Sequence, residues 1–163
     1  MNTAIFITGT ICSGKTTLSE RIGDSLNINV ISETNSNGFF GIIDRVKNNE
    51  YTSPVIIEHA EVYNMVNKDR DLEISRYFDK MIVILINVSD DILAQNIEDR
   101  KSKNVVGDYL KIDMLAMKKD IEHHFNEVIN DCAKYIANIN TIDDYESEYH
   151  KITAFIVDNL RAE

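Results

Sequence analysis

The run Ala4-Ile5-Phe6-Ile7-Thr8-Gly9-Thr10-Ile11-Cys12-Ser13-Gly14-Lys15-Thr16-Thr17 decides the reading of this chain. Its first five residues are a short apolar run ending at a glycine, as in a strand buried on both faces. From Lys15 the period changes, and Leu18, Ile22 and Leu26 mark one face of a helix. Between strand and helix stand Gly9, Gly14, Lys15 and Thr16 in the spacing G-x-x-x-x-G-K-S/T of a phosphate-binding loop. Glycines let such a turn fold with its N–H groups facing inward, toward phosphate oxygens. Lys15 supplies a point charge to β- and γ-phosphates, the Thr16 hydroxyl suits Mg2+, and the helix start adds its positive end. Cys12, Ser13 and Thr17 complete the loop, Cys12 at a position whose side chain need not touch phosphate. A nucleoside triphosphate with Mg2+ is the expected ligand.

Outward from the loop, short apolar runs alternate with longer helical periods. Strands are expected at Asn29-Val-Ile-Ser32, at Pro54-Val-Ile-Ile-Glu58 with proline at its first position, and at Lys80-Met-Ile-Val-Ile-Leu-Ile-Asn87. A weak last strand is expected near Tyr135-Ile-Ala-Asn-Ile139. Phe39, Ile42, Ile43 and Val46 mark a helix, and further helices are expected over 62–78, from Ser89 as N-cap to about Arg100, over 110–130 and over 144–160. Tyr149, Ile152, Ile156 and Leu160 form the buried stripe of the last one. This order predicts a three-layer α/β fold: a five-stranded parallel sheet flanked by helices, with ligands at the carboxyl edge of the sheet. Lys101 to Gly107 is polar and ends in glycine, so a mobile lid is expected at about 100–108.

The 163 residues fit one domain, and 44% hydrophobic with 27% charged residues is ordinary for a globular chain. No run approaches the roughly 20 apolar residues of a membrane span, and no basic n-region precedes the first strand. A cytosolic location without membrane association is therefore expected. Cys12 and Cys132 make no disulfide framework and have no metal-ligand neighbours at a useful spacing. The net charge of −10 disfavours nucleic acid as a partner and favours a small acceptor, although a local basic groove stays open.

The loop Gly9-Thr-Ile-Cys-Ser-Gly-Lys-Thr-Thr17, with the small size and the five-strand layout, resembles the P-loop kinases of the nucleoside monophosphate kinase type. That group also includes shikimate, gluconate and polynucleotide kinases. The resemblance implies ATP- and Mg2+-dependent transfer of the γ-phosphoryl group to a small acceptor, foremost a nucleotide or nucleoside. A polynucleotide or modified-base DNA kinase is the alternative, and a regulatory P-loop ATPase a further one. The resemblance also implies roles for single residues. Glu58, ending the third strand, would hold a magnesium water or accept the acceptor's hydroxyl proton, or else cap the following helix. Glu33, after the second strand, would position the acceptor hydroxyl or stand as a solvated loop residue. Arg100, helped by Lys101 and Lys103, would come over the transferring group, or pair with the end of its own helix. Asn140, after the last strand, would lie against the adenine. Arg45, Arg70 and Arg76 are candidate ligands of an acceptor phosphate. His59 reads as structural, and the pairs Asp90–Asp91 and Asp143–Asp144 as helix-start residues.

Overall fold

The computed structural model describes residues 1–60, 74–103, 111–127 and 132–162. Five strands, β1 (Thr3–Gly9), β2 (Asn29–Ser32), β3 (Val55–Glu58), β4 (Lys80–Val88) and β5 (Ala133–Ile139), form one sheet in the order β2-β3-β1-β4-β5. Every pairing is parallel. The helices are α1 (Lys15–Leu26), α2 (Glu33–Ser36), α3 (Gly38–Lys47), α4 (Asp90–Ser102), α5 (Lys111–Glu127) and α6 (Asp144–Arg161), with a 3-10 turn at Ile74–Tyr77.

Side-chain alternation along the strands builds the three layers. Ile5 and Ile7 of β1 pack with Ile22 of α1, Ile56, Ile84, and Ile152 and Ile156 of α6. Ala4 and Phe6 point the other way, to Ile42 and Val46 of α3, Ile57, Val83, and Ile121 and Phe125 of α5. All of β1 is buried, which is why it carries no polar alternation. The expected five-stranded parallel sheet with helices on both faces is thus the observed fold.

Several boundaries differ from the expectation. Pro54 precedes β3, which starts at Val55; proline has no N–H to give a ladder. The last strand is seven residues long and pairs with β4 along its whole length. Its sequence looks weak because it is an edge strand whose alternate residues face outward. Residues 33–36 form a helical turn that the apolar pattern does not show, held by a reciprocal cap between Ser32 and Asn35. The helix expected over 62–78 falls on residues 61–73, outside the described residues, and then on the 3-10 turn. Residues 100–103 of the expected lid are the last turn and C-cap of α4, and 104–108 lie outside the described residues.

Gly23 sets how closely α1 approaches β2. A Cβ there would come 2.5 Å from Val30 Cγ2 and 2.9 Å from the Ile28 carbonyl oxygen. Helix propensity alone would make Gly23→Ala stabilising by about 1 kcal/mol. Overpacking reverses the sign, and a net destabilisation of about 1–3 kcal/mol is expected. Urea unfolding checks it: the midpoint should fall at constant m. A higher midpoint would contradict the close contact.

The register places the functional edge. Ile7 stands opposite Glu58 in one direction, and Ser32 opposite Glu58 in the other. The residues that follow these strand ends, the loop after Gly9, Glu33 and His59, therefore emerge side by side. Buried polar side chains gather here as well: Thr8, Thr10, Ser13, Lys15, Ser32, Glu58 and His59.

Candidate active site

The loop between β1 and α1 is shaped by two glycines. A Cβ on Gly9 would meet Ser13 Oγ at 2.8 Å and the Ile86 carbonyl oxygen at 2.9 Å, so the chain can turn this tightly only without one. Gly14 has φ +83, a conformation that L side chains rarely adopt. The turn is closed by Ser13 N–H donating to the Thr10 carbonyl at 3.1 Å. Helix α1 then starts with no side chain capping it and no acidic residue in its first turn. Its leading amides and its dipole are thus available to an anion. The buried hydroxyls of Thr10 and Ser13 have no hydrogen-bond partner among the described residues. Buried donors without partners around a turn of this shape fit phosphate oxygens.

Lys15 projects along the inside of the loop. Its Nζ donates to the Thr10 carbonyl at 3.2 Å and lies 3.6 Å from Glu58 Oε1. Both side chains are nearly enclosed, at 10% and 4% exposure. Burial pushes the Lys15 pKa down, opposed by the charges of Glu58 and Glu33. Thr16 Oγ1 donates to the other Glu58 oxygen at 3.3 Å. Among the described residues no group of three or more His, Cys, Asp or Glu could hold a metal ion. The Thr16 and Glu58 oxygens still fit magnesium, which keeps several waters and is usually bound through few protein groups plus phosphates.

Glu33 faces the same space from the N-terminus of α2. Its Oε1 lies 2.8 Å from His59 Nε2. His59 is enclosed, its backbone N–H donates to the Ile7 carbonyl at 3.1 Å, and its ring meets Phe39 edge-on at 4.8 Å. The hydrogen bond from His59 lowers the Glu33 pKa, against the opposing effect of partial burial. Glu33 is therefore held as a carboxylate at this edge, with about half of its side chain exposed. Phe40, 68% exposed, lies beside Phe39 at 6.0 Å between ring centroids.

The opposite flank of the loop holds a cavity of about 360 Å³ lined by Cys12, Gly14, Thr17, Asn96, Arg100 and Tyr145, among others. Arg100 lies in the last turn of α4 and is half-buried. Burial pushes the Cys12 thiol up, and the positive charges of Arg100 and Lys15 pull it the other way. The thiol stays protonated in neutral solution and adds no negative charge to the loop.

Lys15, Thr16, Glu58 and Glu33 are thus brought together, with Arg100 across the loop. Asn140 is not among the residues lining the cavity. It is exposed, and the N–H groups of Asn140 and Thr141 both donate to Asp144 Oδ2, at 2.8 and 2.9 Å. Arg45 Nη1 donates to Asn35 Oδ1 and Ser36 Oγ and so serves α2. Arg76 is exposed on the 3-10 turn, and Arg70 lies outside the described residues. Asp90 pairs with Lys118, at 2.9 Å, beyond its helix-start position. His59, Asn96 and Tyr145 are site residues that no motif marks. Only the adjacency of His59 to Glu58 hinted at its place.

No family model matches the sequence, and no curated protein sequence matches it. Solved structures match over nearly the whole chain. A sugar kinase from Janibacter sp. HTCC2649 superposes with a TM-score of 0.64 at 10% identity, covering 96% of this chain and 95% of its own. Deoxyadenosine kinase from M. mycoides gives 0.58 at 19% identity, covering 98% of both chains. Shikimate kinase from Bacteroides thetaiotaomicron gives 0.58 at 18% identity, covering 94% of this chain and 98% of its own. With its sheet order and its loop between β1 and α1, the chain has the fold of the P-loop small-molecule kinases.

Proposed function

We propose that the protein is a kinase that uses ATP and Mg2+ to phosphorylate a hydroxyl of a small acceptor, a nucleoside or nucleotide. One observation carries the reading: Glu33, 2.8 Å from buried His59, stands at the same sheet edge as Glu58 and the buried Lys15 of a phosphate-shaped loop. The loop amides and Lys15 would bind the donor phosphates, and Thr16 and Glu58 would hold the magnesium ion with its waters. When bound, magnesium would supply charge neutralisation to the donor phosphates. Glu33 would orient the acceptor hydroxyl and take its proton, since positioning matters more here than base strength. Phe39 packs edge-on against the His59 ring and Phe40 stands exposed beside Phe39, so aromatic surface is at hand on this side of the site for a planar base. The same reading takes residues 1–163 as one catalytic domain working in the cytosol.

The test is ADP release from MgATP across nucleosides, nucleotides, sugars, small alcohols and oligonucleotide ends. Transfer to a nucleoside or nucleotide supports the proposal. Acceptor-independent slow hydrolysis, or transfer only to oligonucleotides, sinks it.

The acceptor side makes a separate prediction. Glu33→Gln is expected to lower kcat by about 100-fold while nucleotide affinity stays within about twofold. His59→Ala should cost about tenfold, because Glu33 loses the donor that orients it, and His59→Gln less. Since the His59 hydrogen bond holds the Glu33 pKa down, His59→Ala should also move the acid limb of the kcat/KM profile to higher pH. Unchanged kcat in Glu33→Gln would remove Glu33 from the reaction.

A further inference from the structure

Asn96 of α4 and Tyr145 of α6 meet on the outer side of the phosphate loop. Asn96 Nδ2 donates to the Cys12 carbonyl at 2.8 Å and to Tyr145 Oη at 3.3 Å. Tyr145 Oη in turn donates to the Ser13 carbonyl at 2.9 Å. The Tyr145 ring also backs Gly14, where a Cβ would come 3.0 Å from Cε1.

Two features of the loop depend on these bonds. In a trans peptide the N–H of Gly14 points opposite to the Ser13 carbonyl, so tying that oxygen outside turns the amide inward. Cys12 has φ 69, a left-handed conformation uncommon for any residue other than glycine, asparagine or aspartate. Its carbonyl is the one that Asn96 holds. The hydrogen bond offsets the steric cost of that conformation at a residue with a Cβ.

We propose that Asn96 and Tyr145 are positioning residues, a brace that fixes the loop in its anion-binding shape and ties it to the helix ending in Arg100. The proposal rests on reading the loop as a nucleotide-phosphate site, and it does not depend on any acceptor. Asn96 stands one helical turn before Arg100 on α4, so movement of that helix is transmitted to the Cys12 carbonyl. The brace therefore couples the arginine-bearing helix to the shape of the phosphate cradle.

Binding without turnover tests it. Asn96→Ala and Tyr145→Phe, which keeps the ring behind Gly14, are titrated with MgADP and with magnesium tripolyphosphate by calorimetry, beside thermal unfolding. Each variant is expected to bind both ligands about tenfold more weakly, by the same factor for the two. Adding Cys12→Gly to Asn96→Ala should recover most of the loss, because glycine adopts the left-handed conformation without the steric cost. Affinities within about twofold of the natural protein, with only the unfolding temperature lowered, would overturn the brace. So would a loss confined to MgADP, which would make the two residues walls of a base cavity, or a failure of Cys12→Gly to recover binding. If the natural protein binds neither ligand, the phosphate reading falls, and the brace with it.

Discussion

Lys15→Ala is expected to lower phosphoryl transfer by about 1,000-fold, the scale of losing a preorganised charge at the point where charge develops. The substitution also separates two consequences of one buried pair. Lys15 is held in a nearly enclosed position where burial lowers its pKa, so its removal relieves a desolvation cost. Glu58, 3% exposed, loses its counter-charge at the same time and keeps only the Thr16 hydroxyl within bonding distance in this pair of contacts. The second effect is the larger, because an uncompensated buried carboxylate is what makes breaking such pairs costly. The unfolding temperature of Lys15→Ala should fall, and Glu58→Gln added to it should bring the temperature back. Activity should return in neither. Steady-state ADP release and thermal unfolding on the three proteins decide it. More than about a tenth of the natural activity in Lys15→Ala would take the lysine out of catalysis.

What the sequence shows of this site divides by range. Gly9, Gly14, Lys15 and Thr16 are legible because a strand, a turn and a helix start are consecutive in the chain. Their shape depends on local backbone sterics, so spacing alone identifies them. Strand positions are nearly as legible, because each buried run announces itself by composition. Neighbours across the sheet are not. That Glu58 lies level with Ile7 and Ser32 follows from the order β2-β3-β1, which rests on crossovers that no local pattern encodes. His59 remained a structural histidine for that reason: its partner Glu33 is 26 positions earlier, brought near only by the pairing of β2 with β3. Asn96 and Tyr145 are farther still, 84 and 132 positions from the loop carbonyls they hold. An asparagine in a helix and a tyrosine in the first turn of another carry no signal of their own. Asn140 shows the converse. Its position after the last strand agrees with the resemblance, yet its backbone N–H is given to Asp144 and it is not among the residues lining the cavity.

Arg100→Ala is expected to reduce kcat by about 1,000-fold, with the unfolding temperature nearly unchanged. The alternative role for this side chain is to favour the C-terminus of α4. That is worth about 0.3–1 kcal/mol and would appear in stability without touching the rate. The catalytic role is our proposal, and it starts from the place of the side chain. Arg100 shares a cavity wall with Cys12, Gly14 and Tyr145, on the flank of the phosphate loop. Arg100→Lys keeps the charge and loses the planar fork, so it should recover only part of the rate. Full recovery would mean that a point charge suffices, and no recovery that the fork is the essential element. The combined Lys15→Ala and Arg100→Ala variant adds a check on mechanism. If both cations act on the same oxygens, removing the second costs less than it does alone, because the stabilisation they share is already gone. A product of the two single losses would place them on different parts of the donor, with Lys15 on the bound phosphates and Arg100 on the group in flight.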